Sequence, residues 1–140
     1  MDFQRNMATA RVEYLGELRT KCTHLKSGAE FITDAPVDNN GKGDAFSPTD
    51  LVAAAYASCM VTIIGIYCNH HGIEFKSGVI EINKIMESAP RRIGKLELNL
   101  DFSGNNWTED EQLRIRRAGE ACPVAITLRE NVEVSFTYKF

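Results

Sequence analysis

The run LVAAAYASCMVTIIGIYC, Leu51–Cys68, decides the fold. None of its eighteen residues is charged. Ser47-Pro48-Thr49-Asp50, just before it, reads as a helix start. Ser47 is a good N-cap, Pro48 suits the first helical position, and Asp50 is the acidic partner in a capping-box-like pattern. Gly72 is a natural residue for the position past the end. A helix is therefore predicted over Pro48–His71, about 36 Å long at ~1.5 Å per residue. A helix apolar on every side is either buried on every side or spans a membrane. Eighteen residues reach only the lower edge of a spanning helix, about 17–25. Ala53, Ala54, Ala55, Ala57, Ser58, Thr62 and Gly65 fill seven of the positions, and no Lys or Arg flanks either end. The pattern favours a core helix over a membrane span.

Outward from this helix, the flanking segments alternate. Ala8–Thr33 is rich in β-formers (Val12, Tyr14, Leu18, Thr20, Cys22, Phe31, Thr33) and is punctuated by Gly16 and Ser27-Gly28. It reads as three short antiparallel strands. Asp34–Phe46 holds Pro36, Asn39, Asn40, Gly41 and Gly43, and reads as a long loop. Beyond the helix, Ile80, Ile82 and Met86, then Leu96, Leu98, Leu100 and Phe102, alternate with polar residues across a break at Ser88-Ala89-Pro90, which predicts a hairpin. Thr108 and Glu111 form a capping box for a helix to about Ala121. Cys122-Pro123 interrupts it, and a second helical segment runs to about Glu130. Val132 to Phe140 is a last half-buried strand.

The order βββ–α–ββ–α–β groups strands rather than alternating them with helices. It predicts an α+β fold, antiparallel sheets wrapped around a long central helix, as a single domain over residues 1–140. Two modest sheets from one chain cover too little of so long an apolar helix. The expected state is an intertwined homodimer in which two such helices lie together, Ala53, Ala57 and Gly65 permitting close approach.

Composition narrows the function. The chain has 140 residues with a net charge of −3, which excludes the basic footprint of a nucleic-acid binder. MDFQRNMATARVEYL at the N-terminus lacks the apolar stretch of a secretory signal. A cytoplasmic location is expected, where cysteines are structural, metal-bound or reactive. Of the four cysteines, Cys59 and Cys68 lie nine residues apart on opposite helix faces, too far for a disulfide or a shared metal. Cys22-x-His24 and Cys68-x-His70-His71 lack zinc-finger spacing, so no metal is expected. Cys59, among small residues, reads alone as a core cysteine with room for a ligand or a neighbouring helix. Cys122 sits before Pro123 at a helix start, where backbone N–H groups favour a thiolate, and reads as the more reactive of the two.

Taken together, SPTDLVAAAYASCM (Ser47–Met60) and ACPVAITL (Ala121–Leu128) resemble the two cysteine motifs of the OsmC/Ohr family of thiol peroxidases. The likeness in motif order, spacing and long apolar helix covers most of the chain. It implies that Cys59 is the peroxidatic cysteine and Cys122 the resolving one, at a site on the interface of an intertwined homodimer. It implies an organic hydroperoxide substrate, a lipoyl-type dithiol reductant and no cofactor. An apolar pocket beside Cys59, with Tyr56 one turn before it and Thr49 further up the helix as substrate-side residues, would favour organic peroxides over hydrogen peroxide.

The sequence departs from the family pattern at one place. Thr49 stands where the resemblance expects a Glu, ten residues before the first Cys, working with an Arg that holds the thiolate. Asp50, one residue along, faces away from Cys59 on a straight helix and reads as a cap. No Arg lies between Lys21 and Pro90, which leaves Arg19 as the candidate partner. A second reading therefore stands beside the first: a non-catalytic or redox-sensing relative that binds a small apolar ligand at the dimer interface. A structural protein with four inert thiols ranks third.

Overall fold

The computed structural model describes residues 8–140. Residues 1–7, the start of the stretch read above as lacking a secretory signal, lie outside the described residues. The chain falls into two compact units, Met1–Leu51 and Val52–Phe140.

In the first unit, β1 (Ala10–Gly16), β2 (Arg19–His24) and β3 (Glu30–Asp34) form the expected antiparallel sheet in that order. Glu17 and Leu18 join β1 to β2 with φ of 54° and 63°. Positive φ at both central residues matches strand twist in a tight hairpin, but neither residue is Gly, so the turn is strained. Contacts hold it in place: Ala35 N–H donates to the Leu18 carbonyl at 3.1 Å, and Lys42 pairs with Glu17 at 2.8 Å. The loop after β3 contains one turn of 3-10 helix, Val37–Asn39, and closes where Asp34 N–H donates to the Phe46 carbonyl at 3.1 Å.

The register opposes Val12 to Cys22, Tyr14 to Thr20, Cys22 to Phe31 and Thr20 to Thr33, so these residues share one face. Its apolar members are open, with Val12 64%, Tyr14 65% and Phe31 51% exposed. The described residues this unit does bury are polar: Thr33, Asp34 and Ser47. A sheet that exposes its apolar residues and buries only polar ones has no core of its own.

Helix α1 runs Pro48–His71, as predicted. Ser47 Oγ accepts the Asp50 N–H at 3.1 Å and the Asp50 carboxylate accepts the Ser47 N–H at 3.0 Å, a reciprocal cap. At the other end Gly72 takes φ 64° and Ile73 N–H donates to the Cys68 carbonyl at 2.9 Å, the bond of a Schellman stop. The helix is not covered on every side by its own chain. Ala53, Tyr56, Met60, Ile64 and Cys68 form a buried stripe, while Ala55, Ser58, Thr62 and Ile66 are exposed. Within one chain only 28% of its most apolar stretch is buried.

In the second unit, β4 (Val79–Glu87) and β5 (Arg92–Asp101) form the predicted hairpin, turning through a cis Ala89–Pro90 bond. The last strand, β6 (Glu133–Lys139), departs from the antiparallel expectation and pairs with β5 in parallel. Helices α2 (Glu109–Glu120) and α3 (Pro123–Leu128) lie between the two strands and carry the chain back to the end where β5 began. Leu96, Leu98, Leu100 and Phe102 turn inward, each 1% exposed or less, and join Met60 and Ile64 of α1 and Ile115 of α2 in the core. Phe75, Trp107 and Phe140 pack around Phe102 with ring centroids 5.4–6.2 Å away.

Candidate active site

A glycine sets up the site. Gly119, near the end of α2, faces α1, where an added Cβ would lie 2.9 Å from Ile64 Cδ1 and 3.1 Å from Met60 Cγ. The last turn of α2 is therefore seated directly on the middle of α1. Pro123 cannot continue α2, and it starts α3 instead. Cys122, between them, becomes the N-cap of α3, and its Sγ accepts the Ala125 N–H at 3.4 Å. Three residues beyond Gly119, it lies near enough to Cys59, the α1 residue beside Met60, for the two thiols to interact electrostatically, and Cys59 packs against the core that Cys122 belongs to. The structure thus brings together the two cysteines that the motifs single out, 63 positions apart in sequence (122 − 59). Both are free thiols.

Their environments differ. Cys59 is half-buried, whereas Cys122 is sealed at 0% exposure. Burial pushes the Cys122 thiol pKa above its ordinary value; the N–H groups of Ala125 and Val124 pull it down, and the neighbouring Cys59 adds to the upward shift. This corrects the expectation that the α3 start favours a thiolate at Cys122. The N–H groups are there, but desolvation outweighs them.

Tyr56, one turn before Cys59, is 3% exposed, and its ring centroid lies 6.4 Å from that of Phe136. Its hydroxyl is pushed up to about 12 by burial, with the Cys122 and Glu120 charges adding to it. Tyr56 lines a cleft of about 310 Å³ with Ala125, Ile126, Val132, Val134 and Phe136, rimmed by Glu120, Arg129 and Glu133. A somewhat larger hollow, about 340 Å³, lies among Val79, Glu81, Asn99, Asp101, Thr137 and Lys139. Neither is lined by Cys59 or Cys122. The smaller cleft is closer to the chemistry, because Ala125, whose N–H holds the Cys122 sulfur, forms part of its wall.

In the first unit, Thr49 lies in the opening turn of α1, its Oγ1 3.3 Å from Ser47 Oγ, while Asp50 acts as the cap. Arg19 makes a side-on bidentate pair with Asp34: Nε donates to Oδ1 at 2.7 Å and Nη2 to Oδ2 at 2.9 Å. Asp34 is the residue that sequence reasoning missed. A β2–β3 pairing in register opposes Arg19 directly to Asp34, so the signal was present but needed the register to be seen.

The remaining cysteines stand apart. Cys68 is 1% exposed, and burial, with Glu111 adding, pushes its thiol pKa up. Cys22 is half-buried on the open sheet face, its sulfur 3.9 Å from Thr20 Oγ1. Among the described residues, no group of three or more His, Cys, Asp and Glu is placed to hold a metal ion.

Residues 41–137 match the family model of OsmC-like proteins. A structure from Psychrobacter arcticus 273-4, named as a candidate osmotic stress induced and detoxification response protein, is 40% identical, with a TM-score of 0.91 over 99% of this chain and 100% of its own. Two more distant structures share the fold. The organic hydroperoxide resistance protein OsmC of Legionella pneumophila is 19% identical, with a TM-score of 0.75 over 96% of this chain and 98% of its own. The organic hydroperoxide resistance protein OhrB of Bacillus subtilis is 22% identical, with a TM-score of 0.65 over 94% and 98%. No curated protein matches the sequence. The chain belongs to the OsmC-like family, and its α+β architecture is that of the OsmC/Ohr proteins.

Proposed function

We propose that this protein is a cysteine-dependent peroxidase that reduces organic hydroperoxides to alcohols. The observation that carries the reading is the pairing of a half-open Cys59 with a sealed Cys122 in the same core, near enough for the two thiols to interact. Peroxide reaches Cys59 first. Its thiolate attacks the distal peroxide oxygen, the O–O bond breaks, and the alcohol leaves with a proton, so that Cys59 becomes a sulfenic acid. The neighbouring Cys122 attacks that sulfur; water leaves and a Cys59–Cys122 disulfide forms. A lipoyl-type dithiol then restores both thiols by two exchanges and is itself oxidised. Arg19 is assigned as the cation that favours the Cys59 thiolate, and Tyr56 and Thr49 as substrate-side residues. The cytosol, which keeps thiols reduced, is the compartment that suits this cycle.

The working unit is a homodimer. Supporting this are the open apolar face of Val12, Tyr14 and Phe31 and the uncovered side of α1 at Ala55, Ser58, Thr62 and Ile66. Purified protein is expected to consume an alkyl hydroperoxide in the presence of a dithiol. Cys59→Ser should abolish turnover, and one equivalent of peroxide should give a Cys59–Cys122 linkage by mass spectrometry. Unchanged turnover in Cys59→Ser would end this reading. Thr49, which has no carboxylate, favours a second reading: a redox-sensing relative that binds an apolar ligand. Peroxide-driven disulfide formation without catalytic turnover would select it.

A further inference from the structure

We infer that the cleft between α3 and β6 is a binding site for a small uncharged apolar molecule carrying one hydroxyl or carbonyl oxygen, which the Tyr56 hydroxyl receives. The site lies wholly within the second unit and is lined by neither Cys59 nor Cys122. It is therefore a site beside the reacting pair, and the inference goes beyond the peroxidase reading.

Tyr56 is 3% exposed, yet among the described residues its hydroxyl makes no hydrogen bond. No side-chain polar atom of the described residues is both sealed and unpartnered, so that hydroxyl reaches open space, and the space that Tyr56 lines is this cleft. A deeply buried hydroxyl without a protein partner is a group waiting for one. Its pKa is pushed up to about 12, by burial first and by the Cys122 and Glu120 charges after it, so at neutral pH it is protonated and can donate. The walls around it are apolar: Ala125, Ile126, Val132, Val134 and Phe136. The charges at the rim cancel. Glu120 accepts the Tyr138 hydroxyl at 2.9 Å and lies 3.9 Å from Arg116, while Arg129 and Glu133 offset each other. An apolar body is thus favoured, and a buried ionic head, with no counter-charge at the floor, is not. The volume of about 310 Å³ is at the small end for ligand sites and corresponds to about ten non-hydrogen atoms at roughly 30 Å³ each. Small alcohols, including those that the proposed reaction releases, belong to this class.

Cumyl alcohol is a probe of that size, and tert-butylbenzene is the same shape with a methyl in place of the hydroxyl. Titrating each into the whole protein, followed by backbone amide chemical shifts, should give saturable changes centred on Ala125, Ile126 and Val134. Tyr56→Phe should weaken the alcohol about threefold to tenfold, the worth of one neutral hydrogen bond, and leave tert-butylbenzene unchanged. Because the hydroxyl holds no other residue, this variant should fold as the wild type does. Ile126→Trp, at a position 50% exposed, should fill the cleft and remove binding of both probes. The charged analogue α,α-dimethylphenylacetate should bind at least about tenfold more weakly than the alcohol.

Absence of saturable shifts, or shifts centred on Ser58–Met60 that survive Ile126→Trp, would overturn the site. Alcohol affinity unchanged in Tyr56→Phe would mean that the hydroxyl serves only water, and equal losses for both neutral probes would mean that only packing was disturbed; either overturns the role of Tyr56. A carboxylate bound as tightly as the alcohol would overturn the uncharged class. None of these outcomes depends on turnover at Cys59, so the peroxidase reading stands or falls separately.

Discussion

Gly119→Ala tests the packing that brings the two cysteines together. The added methyl would sit 2.9 Å from Ile64 Cδ1, 3.0 Å from Ile64 Cγ1 and 3.1 Å from Met60 Cγ. Both neighbours are 0% exposed, so neither has free volume to turn into. Overpacking of this kind costs about 1–3 kcal/mol. Ala in a helix recovers at most about 1 kcal/mol relative to Gly, less so close to the end of α2. The net expectation is a destabilisation of about 1–2 kcal/mol from these two terms. In urea, with a slope of about 2 kcal/mol/M, this is a midpoint lower by about 0.5–1 M. The comparison must hold protomer concentration fixed, since subunit association would make apparent stability depend on it. The same displacement moves the α2–α3 junction, so peroxide-driven formation of the Cys59–Cys122 disulfide should slow in parallel. An unchanged or raised midpoint, with disulfide formation at the wild-type rate, would refute the claim that close seating at Gly119 positions Cys122.

Thr108→Ala removes the capping box of α2 and should cost about 1 kcal/mol, seen as a melting temperature lower by about 3 °C. Arg19 holds the Asp34 carboxyl below the usual carboxylate range, so the stabilisation is present above about pH 4 and lost as pH falls through the folded-state value. Acid unfolding of Asp34→Asn should therefore lack that part of the wild-type pH dependence. Tyr14→Lys places a charge on the open face of the first sheet and should convert a dimer into a monomer at micromolar concentration by sedimentation equilibrium. A monomeric wild type in the same experiment would remove the dimer.

The parts legible in the sequence were those governed by local chemistry. The α1 limits followed from Ser47, Pro48 and Asp50 at one end and Gly72 at the other, because caps and stops act within a turn. The inward face of β5 followed from the alternation at Leu96, Leu98 and Leu100. The Thr108–Glu111 box and the break at Pro123 were equally local. The direction of β6 was not legible, because alternation has the same period in parallel and antiparallel pairs, and only the path of α2 and α3 decides between them.

The site divides along the same line. The two motifs mark Cys59 and Cys122 by residue type and spacing alone. Their relative chemistry was decided by tertiary structure: Cys122 sits at a helix start, yet complete burial outweighs its N–H donors, and burial is a property of everything packed around it. Asp34 shows the same limit from the other side. A carboxylate in a turn-rich segment looks like any loop aspartate until β2 and β3 pair and set it across from Arg19. The chain by itself marked the candidate residues, since residue type and spacing are local. Folding decided which of them meet, and how dry they are when they do, since contact and desolvation depend on residues far apart in sequence.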